Sequence, residues 1–144
     1  MRKFLFMKVL FKKIGPSRLK FILFVFLISA CNSAEKESLE MKEIVDKINA
    51  KCPAFIDSET QLDGIEIAKG NTLIYNYTLL HAAAASIDTL QFRNAMWPGI
   101  LSTIRVSPEM EKLRENRMNV RYHYRDAYGK EIYTFNITPK DYLK

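Results

Sequence analysis

Few side chains in this sequence are of the types that carry out catalysis or bind metals. The chain has two cysteines, Cys31 and Cys52, and two histidines, His81 and His123. Metal centres and catalytic triads usually draw several groups from these residue types, so two histidines exclude most such sites. We therefore expect no metal and no cofactor, and we assign no catalytic residue.

Cys52 could act as a nucleophile only if an oriented base lay beside it. Its neighbours Lys51 and Pro53 supply no histidine. Three interpretations stay open: a buried apolar side chain, an intermolecular disulfide, and a reactive nucleophile in an enzyme that uses Cys52 or His81 with a carboxylate. Burial is favoured because free cysteines are among the most often buried residues. The third interpretation would make the protein a small thiol- or histidine-dependent hydrolase.

A group of acids, Asp57, Glu59 and Asp63, could suggest cation binding. The group lacks the regular acidic spacing and the glycine of a calcium loop. Asp57 and its polar neighbours are instead typical of a turn in which a side chain accepts backbone hydrogen bonds.

The first 30 residues differ in composition from the rest of the chain. They hold seven of the 22 basic residues and none of the 16 acidic ones, so the formal charge of +6 becomes −1 without them. The remainder therefore gives no electrostatic support for nucleic-acid binding. The apolar run 21–28 is eight residues long, whereas a membrane-spanning helix needs about 20. Basic residues followed by such a run predict a secretory signal.

The run is followed by Ile28-Ser29-Ala30-Cys31, which resembles the lipobox of bacterial lipoproteins. The resemblance implies cleavage before Cys31 and transfer of a diacylglycerol to its thiol, with membrane lipid as the first partner. Two or three acyl chains give stable anchoring, which one chain does not. Asn32 is not the aspartate that this family links to inner-membrane retention, so an outer-membrane location in the envelope is favoured. The alternative is a plain signal peptide followed by a coincidental cysteine.

The resemblance divides the chain into three parts. Residues 1–30 are the expected lipoprotein signal peptide. Residues 31–37 contain no large apolar side chain and form the expected lipidated tether. Residues 38–144 are the expected single domain, which is long enough for one small core but too short for a multidomain enzyme.

The apolar spacing predicts the elements of that domain. Met41, Ile44, Val45 and Ile48 fall on one face of a helix. Alternating residues predict hairpins over 61–80 and 120–137. Between them we expect helical structure with a break near Pro98, and a helix that begins at Ser107-Pro108-Glu109 and ends near Asn116. Thr138-Pro139-Lys140-Asp141 predicts one more short helix start.

This order predicts an α+β domain of two layers: an antiparallel sheet of about four strands, made of two hairpins, with helices packed on one face. One sheet face should be buried, because aromatic residues alternate along the strands. These are Tyr75, Tyr77, Tyr122, Tyr124, Tyr133 and Phe135. We interpret them as core rather than as a ligand platform.

The opposite face carries Arg121, His123 and Arg125 on one strand. These residues form a possible partner-binding face for an acidic protein, an anionic lipid or lipopolysaccharide. The alternative is a solvated face on which Glu131 balances the arginines. Further basic residues stand in the preceding segment, namely Arg105, Lys112, Arg114 and Arg117.

Residues 53–80 and 121–131, with their glycine turns and tyrosine-containing strands, resemble small uncharacterised envelope lipoproteins and secreted domains. The resemblance supports two hairpins and implies no catalytic residue. It indicates a non-catalytic, membrane-tethered accessory module that binds an envelope component through a sheet face or edge. The alternatives are the hydrolase considered above and a phage-type exclusion or immunity lipoprotein.

Overall fold

The structure is a computed structural model that describes residues 31–143. The expected signal peptide, residues 1–30, lies outside the described residues. The chain divides into two units, residues 1–39 and residues 40–144, and the sheet and its core belong to the second. Within the described range, every helix is too short or too polar to cross a membrane.

The second unit is built on a five-stranded sheet whose strands lie in chain order, β1-β2-β3-β4-β5. Two short 3-10 turns, Ala84–Ser86 and Pro108–Met110, precede two of the helices. The helices and strands are α1 (Cys31–Asn49), β1 (Ala54–Phe55), β2 (Thr60–Ala68), β3 (Thr72–Leu79), α2 (Thr89–Val106), α3 (Glu111–Glu115), β4 (Asn119–Asp126), β5 (Glu131–Ile137) and α4 (Pro139–Tyr142). The predicted α+β fold class is confirmed.

Both predicted hairpins are present, as β2–β3 and β4–β5. Gly70 and Asn71 lie in the three-residue turn between β2 and β3 with φ of 75° and 54°, the left-handed region that glycine and asparagine tolerate. The two hairpins are joined through β3 and β4, which run parallel. This pair differs from the purely antiparallel sheet expected, because the connection that holds α2 is long enough to return the chain to the starting end of β3.

Helix α1 begins at Cys31, so the backbone of the expected tether, residues 31–37, is helical. Further along α1, Met41 and Val45 are buried, as the apolar spacing predicts. Helix α4 begins at the predicted place, with Thr138 and Asp141 forming a capping box.

Helix α2 corrects the expected break near Pro98, because it continues through this proline to Val106. Proline removes one backbone donor, so the carbonyl of Asn94 loses its helical partner. Asn94 and Pro98 are both exposed, which leaves that carbonyl on the solvent side of the helix. Asp88 fixes the start of α2 by accepting hydrogen bonds from the backbone N–H groups of Leu90 and Gln91.

Four of the six aromatic residues predicted as core are buried, namely Tyr75, Tyr122, Tyr124 and Phe135, while Tyr77 and Tyr133 are half-buried and pack against them. Cross-strand register places Tyr75 beside Tyr122, and Tyr77 beside Tyr124. The rings of each pair stack with their centroids 5.0 Å apart. Helix α2 covers this face through Phe92, which packs on Tyr124. We call this side of the sheet the tyrosine face.

Candidate partner-binding face

The other side of the sheet, which we call the polar face, carries the predicted candidate residues. Arg121, His123 and Arg125 alternate along β4 with buried tyrosines, so all three point away from the tyrosine face. Register extends this face across the sheet. Its other members are Asp63, Glu66, Ile74, Asn76, Thr78, Glu131, Thr134 and Asn136.

Arg125 is held by an acid on another strand. Its Nη2 lies 3.2 Å from Oδ2 of Asp63, and the hydroxyl of Thr78 donates to the same oxygen at 2.8 Å. The register of β2 and β3 shifts between Leu62 and Gly64, so Asp63 is the extra residue of a bulge. No local pattern predicts this role of Asp63, since Thr78 and Arg125 lie 15 and 62 residues further along the chain.

His123 and Arg121 are also engaged by neighbouring strands. Nδ1 of His123 lies 3.3 Å from Oδ1 of Asn76, and its Nε2 lies 4.0 Å from a carboxylate oxygen of Glu131. Arg121 Nε donates to Oδ1 of Asn136 at 3.1 Å. The amide of Asn76 in turn donates to Glu66 at 2.7 Å. The polar side chains are thereby held in place by hydrogen bonds among themselves.

This network changes the expected electrostatics of the face. Its two arginines are accompanied by three carboxylates, those of Asp63, Glu66 and Glu131. With His123 neutral, the face therefore has no excess of positive charge. Two shallow hollows lie on it and share Glu66, Asn76 and His123 in their linings. The arrangement fits a mixed-charge protein surface better than a uniformly anionic one.

The four other basic residues considered with this face lie elsewhere, so their expected contribution is corrected. Arg114 donates to the carbonyls of Ile104 and Ser107, at the end of α2. Lys112 pairs with acids of α1 and α3, Arg105 donates to the backbone of α4, and Arg117 stands between α3 and β4. These four residues therefore lie among or beside the helices and not on the polar face.

Cys52 is half-buried, and its thiol donates to the carbonyl of Ile48 at 3.4 Å. Burial, with a smaller contribution from the charge of Asp63, raises the pKa of this thiol. A raised pKa reduces the thiolate fraction that a nucleophile needs. His81 is exposed just after β3, and no hydrogen bond among residues 31–143 joins it to Cys52.

Asp57 and its polar neighbours form a turn, as predicted, whereas Asp63 lies on the polar face. Asp57 accepts hydrogen bonds from the N–H groups of Glu59 and Thr60, both at 2.8 Å. These hydrogen bonds lower the pKa of Asp57, and the one from Glu59 contributes most. No group of three metal-ligating side chains occurs in the described part of the chain.

Comparison with known protein families gives one match. The model of the family described as Domain of unknown function (DUF8479) matches residues 35–134. The chain belongs to this family. The match spans α1 from residue 35 onward, all of β1 to β4 and the first residues of β5, and therefore includes most of the polar face. No curated protein sequence matches the chain.

Solved structures of other proteins share the fold of this family member. A protein of Pseudomonas aeruginosa described as secreted superposes with a TM-score of 0.61 at 11% identity, covering 74% of this chain and 92% of its own. The type II secretion system pilotin AspS of Vibrio cholerae gives 0.57 at 12% identity, with coverages of 78% and 98%. The pilotin EpsS of Vibrio vulnificus gives 0.53 at 13%, with 76% and 96%. At these identities the likeness concerns the fold alone.

Proposed function

We propose that this chain is a lipid-anchored, non-catalytic accessory protein of the bacterial envelope that binds another envelope protein through its polar face. The observation that carries the proposal is the contrast between the faces: α2 packs on one, while the other keeps an open array of mutually bonded polar side chains. Preorganised groups lose little conformational freedom on binding, which favours recognition.

In this proposal, Cys31 is the lipidation site and the outer membrane is the favoured location. Arg121, His123 and Arg125 are the partner-binding residues. The type II secretion pilotins of similar fold support an accessory role at the envelope. A protein partner is preferred to an anionic lipid surface because Asp63 occupies Arg125 and Glu131 stands beside His123.

The anchor can be tested by replacing its attachment point. Cys31→Ala should leave a precursor that retains the leader and incorporates no labelled fatty acid. Cys52→Ser, which changes the other cysteine, is the matched control and should be processed normally. Normal processing and membrane retention of Cys31→Ala would contradict the lipoprotein proposal.

Partner binding can be tested by crosslinking in cells, followed by affinity capture from solubilised envelope through a C-terminal tag. We expect a specific envelope protein with the wild-type chain and much less of it with Cys31→Ala, which leaves an unprocessed and misplaced precursor. Stable anchoring with no protein above background would contradict the accessory role.

A further inference from the structure

The two edges of the sheet are protected to different extents. At one edge β1 covers only the start of β2, pairing with Gln61 and Leu62. Beyond it the bulge interrupts the strand, and Asn49 bonds the backbone of Ile65 twice, donating to its carbonyl at 2.8 Å and accepting from its N–H at 2.7 Å. Short strands, bulges and covering side chains are ways in which proteins prevent pairing at an edge.

The β5 edge lacks comparable protection. From Tyr133 to Ile137 the strand is regular, and within residues 31–143 it pairs only with β4. No side chain in that range hydrogen-bonds the backbone of residues 133–137. The outward N–H and C=O groups of this stretch therefore form a template for one more strand.

Half-buried aromatic side chains lie beside this edge on its tyrosine-face side. Tyr133 and Trp97 both contact Phe135, with ring centroids 4.7 Å and 6.2 Å away. We call Tyr133 and Trp97 the aromatic shelf. The guanidinium of Arg93, an exposed residue, lies 5.7 Å from the centroid of the Trp97 ring. The shelf could receive apolar side chains, and Arg93 could receive a carboxylate.

On the other side of the same edge, the polar face ends in Asn136 and Thr134. Asn136 accepts from Arg121, and Thr134 donates to Glu131 at 2.8 Å. A strand added beside β5 would therefore contact the shelf with one set of alternate side chains and the polar face with the other.

We propose that the β5 edge binds an extended segment of the partner protein as a sixth strand. The segment would pair with residues 133–137, place apolar side chains over the aromatic shelf at alternate positions and bring an acidic side chain to Arg93. This inference rests on the proposed function, since it specifies how the accessory protein contacts its partner. Pairing with a second copy is disfavoured because the register shift before Tyr133 and Pro139 after Ile137 confine the regular edge to five residues.

A photo-crosslinking amino acid placed at position 136 tests this edge in the full chain in its own envelope. The matched control is the same amino acid at position 67, since Ile67 is 45% exposed and lies on β2 near the opposite edge. We expect position 136 to yield at least about ten times more adduct with an envelope protein than position 67, because only the segment paired with β5 would lie within reach of the probe. Mass spectrometry of the adduct should identify a short segment with alternating apolar residues and an acid.

A charge change at the shelf provides a second measurement. Arg93→Glu should lower the yield at position 136 severalfold without changing the melting temperature, and Arg93→Lys should retain most of it. Equal yields from Arg93→Glu and the wild type would overturn the role of Arg93 in receiving an acidic side chain of the segment.

The outcomes separate this inference from the proposed function. An adduct between two copies of the chain would overturn the partner strand and assign the edge to self-association. If a partner protein is captured but forms no adduct at position 136, or forms one only at position 67, the proposed pairing at the β5 edge is overturned. The accessory role would then remain intact. Absence of any partner from both capture and crosslinking would overturn the accessory role itself.

Discussion

The two faces of the sheet carry side chains from the same strands, yet different forces hold them. On β4, Tyr122 is 5% exposed and stacks on Tyr75. Three residues further along the same strand, the side chain of Arg125 is 41% exposed and pairs with Asp63. The tyrosine face gains stability from burial. The polar face gains little, because ion pairs near solvent contribute weakly. Folding and recognition can therefore be changed separately by substitutions on alternate residues.

The difference extends to charge. Burial raises the pKa of Tyr75 and of Tyr124 to about 12, so their hydroxyls stay protonated throughout the physiological range. The tyrosine side chains themselves are therefore uncharged under physiological conditions. The polar face, by contrast, presents Arg121, Arg125 and three carboxylates that a partner could recognise.

The largest expected effect comes from the most buried ring of the tyrosine face. Phe135 is 1% exposed and contacts Phe92, Trp97, Tyr124 and Tyr133. Phe135→Ala should lower the free energy of unfolding by about 4 kcal/mol, as expected for removal of a buried ring. Denaturant unfolding measures this loss. Thr134→Ala, on the adjacent polar-face residue, is the matched control, and an equal loss from it would contradict the assignment of the faces.

A smaller effect is expected at the end of β4, where Asp126 is buried. Its carboxylate accepts from the N–H groups of Ala84, Tyr128 and Lys130 at 3.0, 2.9 and 2.9 Å. These hydrogen bonds lower the pKa of Asp126, and the one from Ala84 contributes most. Asp126→Asn should lower the melting temperature by several degrees at pH 7, because one of the two accepting carboxylate oxygens is replaced by an amide donor.

The pH dependence of that loss follows from the direction of the pKa shift. A lowered folded-state pKa adds stability above the unfolded value of about 3.9, and this stability is lost as pH falls through the folded pKa. The difference between the wild type and Asp126→Asn should therefore be full at pH 7 and shrink below about pH 4. Melting curves that differ equally from pH 7 to pH 2 would contradict this account of Asp126.

On the polar face, Arg125→Ala should lower the free energy of unfolding by less than about 1 kcal/mol, since the pair with Asp63 is partly exposed to solvent. Denaturant unfolding at low and high salt tests this expectation. A loss above about 3 kcal/mol would mean that the polar face is part of what holds the fold together.

The smallest effect concerns Cys52. Because its pKa is raised, alkylation by iodoacetamide at pH 7.5 should be slower than that of glutathione. The Cys52→Ser variant is the control: a mass increase that the wild type shows and this variant lacks belongs to alkylation of Cys52. Alkylation faster than that of glutathione would restore the hydrolase alternative. It would also weaken the distinction between residues that stabilise the fold and residues that bind a partner.

Local alternation explains why much of this arrangement could be predicted. Tyr122 and His123 point to opposite faces wherever β4 lies in the sheet, so both faces followed from the sequence. The parallel pairing of β3 with β4 depends on where a long helical connection delivers the chain, which alternation does not encode. The contact of Asp63 with Arg125 depends on a bulge and on register between strands that are far apart in sequence.

Helices were less predictable for a related reason. Pro98 usually ends a helix, but an exposed position lets α2 continue through it. The aromatic shelf and the open β5 edge depend on which strand lies outermost, a property of the complete sheet.

The central claim is that Arg121 and Arg125 of the polar face contact the partner protein, and one comparison tests it directly. Arg121→Glu with Arg125→Glu changes the polar face, while Lys42→Glu with Lys47→Glu makes the same charge change on exposed residues of α1. Quantitative capture from crosslinked envelope should fall about tenfold for the first pair and stay at the wild-type level for the second, with both variants folded by their melting curves. Full capture by the folded polar-face variant would contradict the claim.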